Sequence, residues 1–204
     1  MFPSILNKNQ TELLSLVKQF KREYYLVGET AIALQIGHRR SIDFDMFKSS
    51  RINPSRIIAK ISEANLQYSI TRRVYEQLNV TIHDVKFTFF EYPFPINPVL
   101  PFSDIIKMPE LIELAAMKAY ALGRRSKWKD YVDLYYLIKN HCTIEEISSV
   151  ANRIYGQLFS EKLFRAQLSY FNDIDYSEPV EYMITAVSEK KIKEFLTEKA
   201  IDFL

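Results

Sequence analysis

Glycine and cysteine are scarce in this chain, and neither sign of charge predominates. Its 204 residues include four glycines and a single cysteine, Cys142. One cysteine excludes an internal disulfide and fits a reducing cytoplasm, so we interpret Cys142 as a small apolar packing residue. The formal net charge is only +2, so any affinity for nucleic acid has to come from local patches of cations.

Long apolar runs are also missing. No stretch approaches the roughly 20 apolar residues that a membrane-spanning helix requires. Polar residues at positions 8, 9, 10 and 12 interrupt the pattern expected of a signal peptide. We therefore expect a cytoplasmic protein without a membrane partner. Apolar residues make up 48% of the chain and aromatic residues 14%, a composition that suits a buried core and argues against disorder.

The hydrophobic pattern predicts a mixed α/β first half. Residues 24–27 are an aromatic and β-branched run ending at Gly28, which is typical of a strand that meets a tight turn. A short helix is predicted to begin at Thr30 and to end at Gly37. The other predicted elements are helices at 10–20 and 54–66 and strands at 42–46, 68–75 and 80–92.

A proline-rich segment predicts the boundary between two halves. Residues 92–98 contain three of the eight prolines, a density that removes backbone donors and forbids a helix. Beyond residue 104 the periodicity is helical, over residues 109–122, 129–140, 144–158, 160–171 and 189–203. We predict an α+β fold, with a mixed sheet and flanking helices in domain 1–103. A helical bundle in domain 104–204 is expected to complete the active-site cleft.

Two carboxylates alternate with apolar residues at positions 42–46. Side chains two apart on a strand point the same way, so Asp43 and Asp45 are predicted to share a face while Ile42, Phe44 and Met46 face the core. Adjacent carboxylates repel each other unless a cation lies between them. Magnesium takes hard oxygen ligands, commonly one or two carboxylates plus substrate phosphates. A solvated strand face that carries two acids by chance is the alternative interpretation.

The turn that precedes this strand suits a phosphate. Gly28 allows a ligand to approach the backbone closely, and the N-terminus of the following helix presents N–H groups and a partial positive charge. The hydroxyl of Thr30 is a further donor. Glycine before a helix is common, so the turn is informative mainly because the paired acids follow it.

A lysine interrupts an apolar stripe in the helical half. Lys118 either packs its stem while its amine reaches water, or directs the amine into the cleft to neutralise charge on a transferred phosphoryl group. Asp130 is either a helix cap or a site residue. Asp133 shares a helical face with Leu134 and Leu137, so it should point inward and needs either a cationic partner such as Lys118 or a nucleophile to orient.

Two basic segments are candidates for a phosphate or RNA-backbone surface. A solvated loop between helices is the alternative for the first, which lies around Trp128. Its cations are Arg124, Arg125, Lys127 and Lys129, and the second segment is His38, Arg39 and Arg40. No Cys/His cluster suggests zinc, and no P-loop or Rossmann fingerprint is present.

Five segments together match the pattern of a known family. They are residues 26–34 (LVGETAIAL), 37–47 (GHRRSIDFDMF), 117–121 (MKAYA), 124–127 (RRSK) and 129–137 (KDYVDLYYL). With them the chain resembles the AbiEii/AbiGii toxin family of the DNA polymerase β-like nucleotidyltransferase superfamily. The resemblance implies a nucleotidyltransferase-type mixed sheet followed by a helical bundle. It also implies an enzyme that moves a nucleoside monophosphate from an NTP, such as ATP, to an acceptor hydroxyl on RNA, notably tRNA. Magnesium as cofactor and a cognate antitoxin as partner are further implications.

The resemblance also implies roles for individual residues. Metal binding is implied for Asp43 and Asp45. Catalysis is implied for the set Asp43, Asp45, Lys118, Asp130 and Asp133. Nucleotide binding is implied for the set Gly28, Glu29, Thr30, Arg40 and Ser41, with Gly28 and Thr30 at the triphosphate and Ser41 on the nucleotide side of the pocket.

Two positions depart from the family pattern. Glu29 stands where a second glycine or a serine is usual, and a carboxylate there repels a triphosphate unless it points away or pairs with Arg39 or Arg40. The superfamily often takes a third acid from a later strand, where this chain places Thr88, and Asp84 is the candidate substitute on the same predicted face. These departures leave open a catalytically degenerate module that binds a nucleotide or RNA. A second alternative is an NTP-dependent phosphotransferase, which moves the γ-phosphate with the same metal site.

Overall fold

The first part of the chain is built on a five-stranded mixed sheet. The computed structural model describes residues 1–202, which divide into a unit Met1–Glu110 and a second unit that begins at Leu111. The strands of the sheet are β1 (Tyr25–Val27), β2 (Phe44–Lys48), β3 (Ser69–Arg73), β4 (Gln77–Ile82) and β5 (Val85–Glu91). They lie in the order β1-β2-β5-β4-β3, with β2 parallel to β5 and the other neighbours antiparallel.

The helices of the first unit begin and end at residues that suit these positions. They are a 3₁₀ helix (Pro3–Ile5), α1 (Lys8–Glu12), α2 (Leu14–Gln19), α3 (Gly28–Ile36) and α4 (Pro54–Glu63). Gly37 ends α3 in the left-handed region at φ 68°, as predicted. Pro54 lies in the first turn of α4, also as predicted. The single helix predicted at 10–20 is instead divided at Leu13, which ends α1 and precedes α2.

One face of the central strands of the sheet is apolar. The apolar side chains that alternate along the three central strands are buried: Phe44, Met46, Leu78, Val80, Phe87 and Phe89. Phe44 and Phe87 are paired in register, and their ring centroids lie 5.2 Å apart. Burying one such side chain contributes about 1.5–3 kcal/mol, so this face holds the central strands together.

The strand predicted at residues 80–92 is in fact part of a hairpin. β4 and β5 are joined by His83 and Asp84, whose φ angles are 47° and 63°, and positive φ at both central residues is the mark of a tight hairpin turn. Asp84 therefore lies exposed in the turn, so its predicted place on the strand beside Thr88 is wrong. Two short strands that periodicity did not predict, β6 (Leu100–Phe102) and β7 (Ile106–Met108), follow the proline segment.

The second unit is helical, and the α+β architecture is confirmed. Its helices are α5 (Leu111–Leu122), α6 (Trp128–Asn140), α7 (Ile144–Tyr155), α8 (Glu161–Leu168) and α9 (Glu189–Ile201). α5 packs against α6, α7 and α8, while α9 packs against α6 and α8. The last predicted helix extended to residue 203, which lies outside the described residues. Burial raises the pKa of Cys142 to about 12, consistent with an apolar packing role. Over residues 1–202 the longest apolar helical stretches fall short of what a bilayer span requires.

Candidate active site

Gly28 and Asp45 lie against each other. Val27 is the register partner of Asp45 across β1 and β2, which brings the glycine turn next to the acidic strand. Gly28 has a φ of +70°, and a Cβ built there would lie 2.1 Å from Oδ2 of Asp45. Only glycine tolerates both that backbone conformation and that contact. The turn and the acid therefore form one structural unit.

Asp43 comes from a loop and not from the strand. β2 begins at Phe44, and Ile42 is 46% exposed, so the prediction that Ile42 faces the core is wrong. The cause is the hydroxyl of Thr30, which donates to the carbonyl oxygen of Asp43 and shares a 2.9 Å hydrogen bond with the hydroxyl of Ser41. These bonds hold the loop in a conformation that does not alternate as a strand does.

Thr30 and Ser41 are inside the fold. They are 1% and 4% exposed, and their hydroxyls are bonded to each other. A hydroxyl carries a single hydrogen, and that of Thr30 is directed to the Asp43 carbonyl oxygen. In this structure both side chains support the loop that carries Asp43.

Asp45 is buried and experiences the negative charges of Glu29 and Asp43. Burial is the main cause that raises the pKa of Asp45 to about 6, and the charges of Glu29 and Asp43 act in the same direction. The charge of Lys86 and a hydrogen bond from Thr88 act against them. Thr88 is the register partner of Asp45 in β5, the place where the resemblance expects a third acid. An acid under this repulsion is well suited to a divalent cation.

The carboxylates fit a magnesium ion that is shared with substrate. Within residues 1–202, no group of three or more His, Cys, Asp or Glu side chains is arranged to hold a metal ion. Magnesium does not need one, because it keeps several waters and takes one or two carboxylates plus substrate phosphates. Asp43 and Asp45 supply two such oxygen donors, and the charge of Asp43 contributes to the raised pKa of Asp45.

Glu29 is paired with a buried arginine. Nη2 of Arg39 lies 2.9 Å from Oε2 of Glu29, and the two side chains are 0% and 18% exposed. Nη1 of Arg39 donates to the carbonyl oxygen of Arg40 at 3.1 Å. The pairing considered from the sequence is therefore present, although Glu29 stays near enough to Asp45 to raise its pKa.

The first-unit basic segment is not an exposed phosphate surface. His38 and Arg39 are 1% and 0% exposed, so that interpretation is wrong for both. Arg39 can lie in the interior because Glu29 compensates its charge, as a buried cation requires. Arg40 is partly exposed and donates to the carbonyl oxygen of Ile5 at 3.3 Å.

Most cations of the second-unit basic segment are bound to neighbouring groups. Lys127 and Lys129 both pair with Glu178, the second at 3.1 Å. The guanidinium of Arg124 lies 3.5 Å from the centre of the Tyr120 ring. Local neutralisation of this kind leaves less charge for a nucleic acid than the sequence indicated.

Lys118 and two aspartates form a buried ionic cluster. Nζ of Lys118 lies 2.7 Å from Oδ1 of Asp130 and 3.0 Å from Oδ2 of Asp133. Arg125 donates to the Asp130 carboxylate at 2.9 and 3.0 Å. Lys118 is 4% exposed and both aspartates are fully buried, so the interpretation of Lys118 as a lysine whose amine reaches water is wrong. Asp130 is in the first turn of α6, whose N-cap is Lys127, and the predicted pairing of Asp133 with Lys118 is confirmed.

Two cations near the acidic strand were missed in the sequence. A row of register partners crosses the sheet: Asp45 on β2 pairs with Thr88 on β5, Thr88 with Asn79 on β4, and Asn79 with Arg72 on β3. Lys86 lies two residues before Thr88 and so on the same face. Strand alternation would have placed Lys86 there. The position of Arg72 depends on the pairing of four strands, and the sequence pattern carries no signal for it.

Comparisons with known proteins agree with this geometry. A family model described as "Nucleotidyl transferase AbiEii toxin, Type IV TA system" matches residues 13–200. An uncharacterized protein of Aquifex aeolicus (strain VF5) is 30% identical over 206 residues, spanning 94% of this chain and 98% of that protein.

Solved structures share the fold. MenT4, a nucleotidyltransferase toxin from Mycobacterium tuberculosis H37Rv, is similar with a TM-score of 0.62 and 14% identity, over 94% of this chain and 80% of that one. JHP933 from Helicobacter pylori is similar with a TM-score of 0.59 and 16% identity, over 96% and 91% of the two chains.

Proposed function

Because the chain belongs to the AbiEii nucleotidyltransferase toxin family and is a nucleotidyltransferase, we propose that it moves a nucleoside monophosphate from an NTP to a hydroxyl of RNA, with magnesium. The observation that carries the proposal is the contact of Gly28 with Asp45, where a Cβ would lie 2.1 Å from the carboxylate. A turn suited to phosphate and a carboxylate suited to metal thus occupy one place.

Each residue of the first unit has a distinct task in this proposal. Asp43 and Asp45 would hold magnesium, which when bound activates the attacking oxygen and stabilises the leaving pyrophosphate. Gly28 leaves the backbone N–H groups at the start of α3 open to the triphosphate. Thr30 and Ser41 act by holding the loop of Asp43, as their hydrogen bonds indicate.

The second unit and the partners enter the proposal through the family. We assign Lys118, Asp130 and Asp133 to catalysis, supported by the burial of all three in one ionic cluster. A cognate antitoxin is the proposed protein partner, because the family model describes a toxin–antitoxin system. Arg40, partly exposed next to this loop, is assigned to the nucleotide.

Transfer of label to RNA tests the reaction. The protein is incubated with each α-labelled NTP, magnesium and total bacterial RNA, and the RNA is separated on a gel. We expect labelled RNA from the wild type and a loss of about two orders of magnitude or more in Asp43→Asn and Asp45→Asn. A bound metal contributes several kcal/mol to the transition state, and about 1.4 kcal/mol is one decade in rate.

Asp84→Asn is the matched control, because it removes one carboxylate from an exposed turn of the same unit. It should keep wild-type transfer. Near wild-type activity in folded Asp45→Asn would contradict the metal assignment. Label that appears only from γ-labelled NTP would identify a phosphotransferase instead, and binding of NTP without transfer of either label would identify a degenerate module.

A further inference from the structure

The edge strand of the sheet carries open positive charge. β3 is an edge strand, and residues 67–76 are exposed along their whole length. In the part of the chain that the structure describes, neither Arg72 nor Arg73 forms an ion pair. Most other cations of this unit are neutralised locally, in the pairs of Lys8 with Glu12, of Lys18 and Lys21 with Asp104, of Lys48, Arg56 and Lys60 with Glu23, and of Arg39 with Glu29.

Exposed aromatic side chains flank these arginines. Tyr75 is 64% exposed and Tyr68 is 37% exposed. The guanidinium of Arg51 lies 4.2 Å from the centre of the Tyr75 ring. Arginine on an aromatic ring, next to unpaired cations, is the combination with which proteins bind single-stranded nucleic acid through stacked bases and neutralised phosphates.

The shape of the edge disfavours a protein strand as the occupant. The register of β3 against β4 shifts between Ile70 and Arg72, which marks a β-bulge. Bulges and charged side chains on an edge strand are features that prevent another strand from pairing with it. An anionic polymer that contacts side chains is not hindered by either feature.

The position of Arg72 connects this edge to the acidic strand. Arg72 lies in the same row across the sheet as Asp45, three strand spacings away. At about 4.8 Å per spacing the separation is roughly 14 Å, or about four stacked nucleotides at roughly 3.4 Å each. Thr88 and Asn79, in the middle of the row, are each 8% exposed, so the side chains open to a ligand are Arg72 and the exposed Lys86.

We propose that this edge binds a single-stranded segment of the RNA acceptor, with phosphates on the arginines and bases on the tyrosines. We call this edge the β3 surface; it consists of Arg51, Tyr68, Arg72, Arg73 and Tyr75. The inference rests on the proposed function for the identity of the acceptor. Beyond that function, the inference specifies where on the protein the acceptor RNA is bound before its end reaches Asp45.

The salt dependence of RNA binding tests the β3 surface. The probe is a fluorescein-labelled RNA of 12 nucleotides and mixed sequence, whose anisotropy is followed without NTP between about 50 and 200 mM salt. Each phosphate contact on a single strand contributes about 0.7 to the slope of log K against log salt concentration. Arg72 lies on the face of Asp45, and Arg73, the register partner of Leu78, lies on the opposite face, so a strand that follows the exposed edge contacts both. Arg72→Ala/Arg73→Ala should therefore reduce the slope by about 1.4, and Tyr75→Ala should weaken binding about tenfold at every salt concentration.

Arg22→Ala/Lys107→Ala is the matched control. It also removes two exposed cations from the first unit, and it should keep the wild-type slope. Melting curves show that each variant is folded. An equal reduction of slope by both pairs would overturn the proposal, because the binding would then be non-specific. A change of oligomeric state in Arg72→Ala/Arg73→Ala, with an unchanged slope, would overturn it in favour of a protein interface.

The transfer assay separates failure of this inference from failure of the reaction. We expect Arg72→Ala/Arg73→Ala to raise KM for RNA about tenfold and to leave KM for NTP unchanged. If the wild type transfers nucleotide and the variant has an unchanged KM for RNA, the β3 surface is wrong and the reaction stands. If the wild type transfers no nucleotide but the variant shows the predicted reduction in the slope of log K against log salt concentration, the β3 surface stands and the proposed reaction is wrong.

Discussion

At the scale of single residues, Asp45 is held in an environment that opposes its ionisation. Burial, together with the charges of Glu29 and Asp43, raises its pKa to about 6. Glycine at position 28 makes room for the carboxylate, since a Cβ would lie 2.1 Å from its oxygen. The ionised carboxylate of Asp45 is therefore held at a cost in free energy, which a bound cation at the proposed metal site would offset.

That cost gives a prediction for Asp45→Asn. The pKa rises from 3.8 to about 6, so the folded state binds the proton more tightly than the unfolded state. The resulting stabilisation is complete below about pH 4 and is lost as the pH rises through about 6. Roughly two pKa units correspond to about 3 kcal/mol. In urea denaturation with EDTA, the variant should exceed the wild type by up to that amount at pH 7.5, and the pH dependence between 4 and 7 should be smaller.

Asp84→Asn serves again as the control, because its exposed carboxylate should leave the pH dependence of the wild type unchanged. If Asp45→Asn and the wild type lose stability in parallel between pH 4 and 7, Asp45 is not the acid under repulsion.

The pairing of Glu29 gives a second prediction. Arg39 is fully buried and cannot lose its proton, so Glu29→Gly should remove a partner of a buried charge and lower the free energy of unfolding by about 3 kcal/mol. Relief of the repulsion on Asp45 acts in the opposite direction but is smaller, since Asp45 can protonate instead. Affinity for a non-hydrolysable NTP with magnesium, measured by isothermal titration, should change less than about tenfold, or 1.4 kcal/mol.

Glu63→Gln is the control for this change, because Glu63 is exposed at the end of α4 and should cost less than about 0.5 kcal/mol. A clear tightening of NTP binding in Glu29→Gly would show that the carboxylate faces the phosphates despite Arg39.

At the scale of elements, the ionic cluster joins α5 to α6. Lys118 balances Asp133, and Arg125 balances Asp130. Lys118→Met and Asp133→Leu should each lower the free energy of unfolding by about 3–5 kcal/mol, because each removes one charge from a buried ionic cluster. The double variant should recover part of that loss. Urea denaturation of the four proteins gives the coupling energy.

The same double variant tests the catalytic assignment. If Lys118 and Asp133 act in the reaction, the folded double variant should lose about two orders of magnitude in transfer. Retained transfer would leave the pair with a structural role alone. The exposed pair Lys190 and Glu194 on α9, 3.7 Å apart, is the control. Its variants Lys190→Met and Glu194→Leu should show a coupling below about 1 kcal/mol.

At the scale of the whole molecule, the near balance of charge hides an uneven distribution. The chain has 27 Lys and Arg against 25 Asp and Glu. The cations that the sequence singled out are largely buried or paired, as with Arg39 and Lys127. Those without an ion pair in the described residues include Arg72 and Arg73, on a strand to which the sequence attached no function. Counting charges along the chain could not separate the two groups, because pairing depends on contacts between distant residues.

The sequence by itself determined the features that depend on neighbours in the chain. Periodicity, capping and backbone preference predict the strand that ends just before Gly28 and the helix that ends at Gly37. They also predict the proline in the first turn of α4 and the helices of the second unit. The same local patterns were enough to recognise the family, because the sequence segments that resemble it are short and contiguous.

Only the tertiary structure decided the features that depend on strand register and on burial of charge. Three such features join residues that are far apart in sequence. They are the hydrogen bonds of Thr30 that keep Ile42 out of the core, the pairing of Thr88 with Asp45, and the row of register partners that ends at Arg72. A register shift of one residue would reverse every side chain on a strand, and the hydrophobic pattern does not name the partner strand. The long-range pairing of β2, β5, β4 and β3 therefore decides which polar residues share a face with the acids.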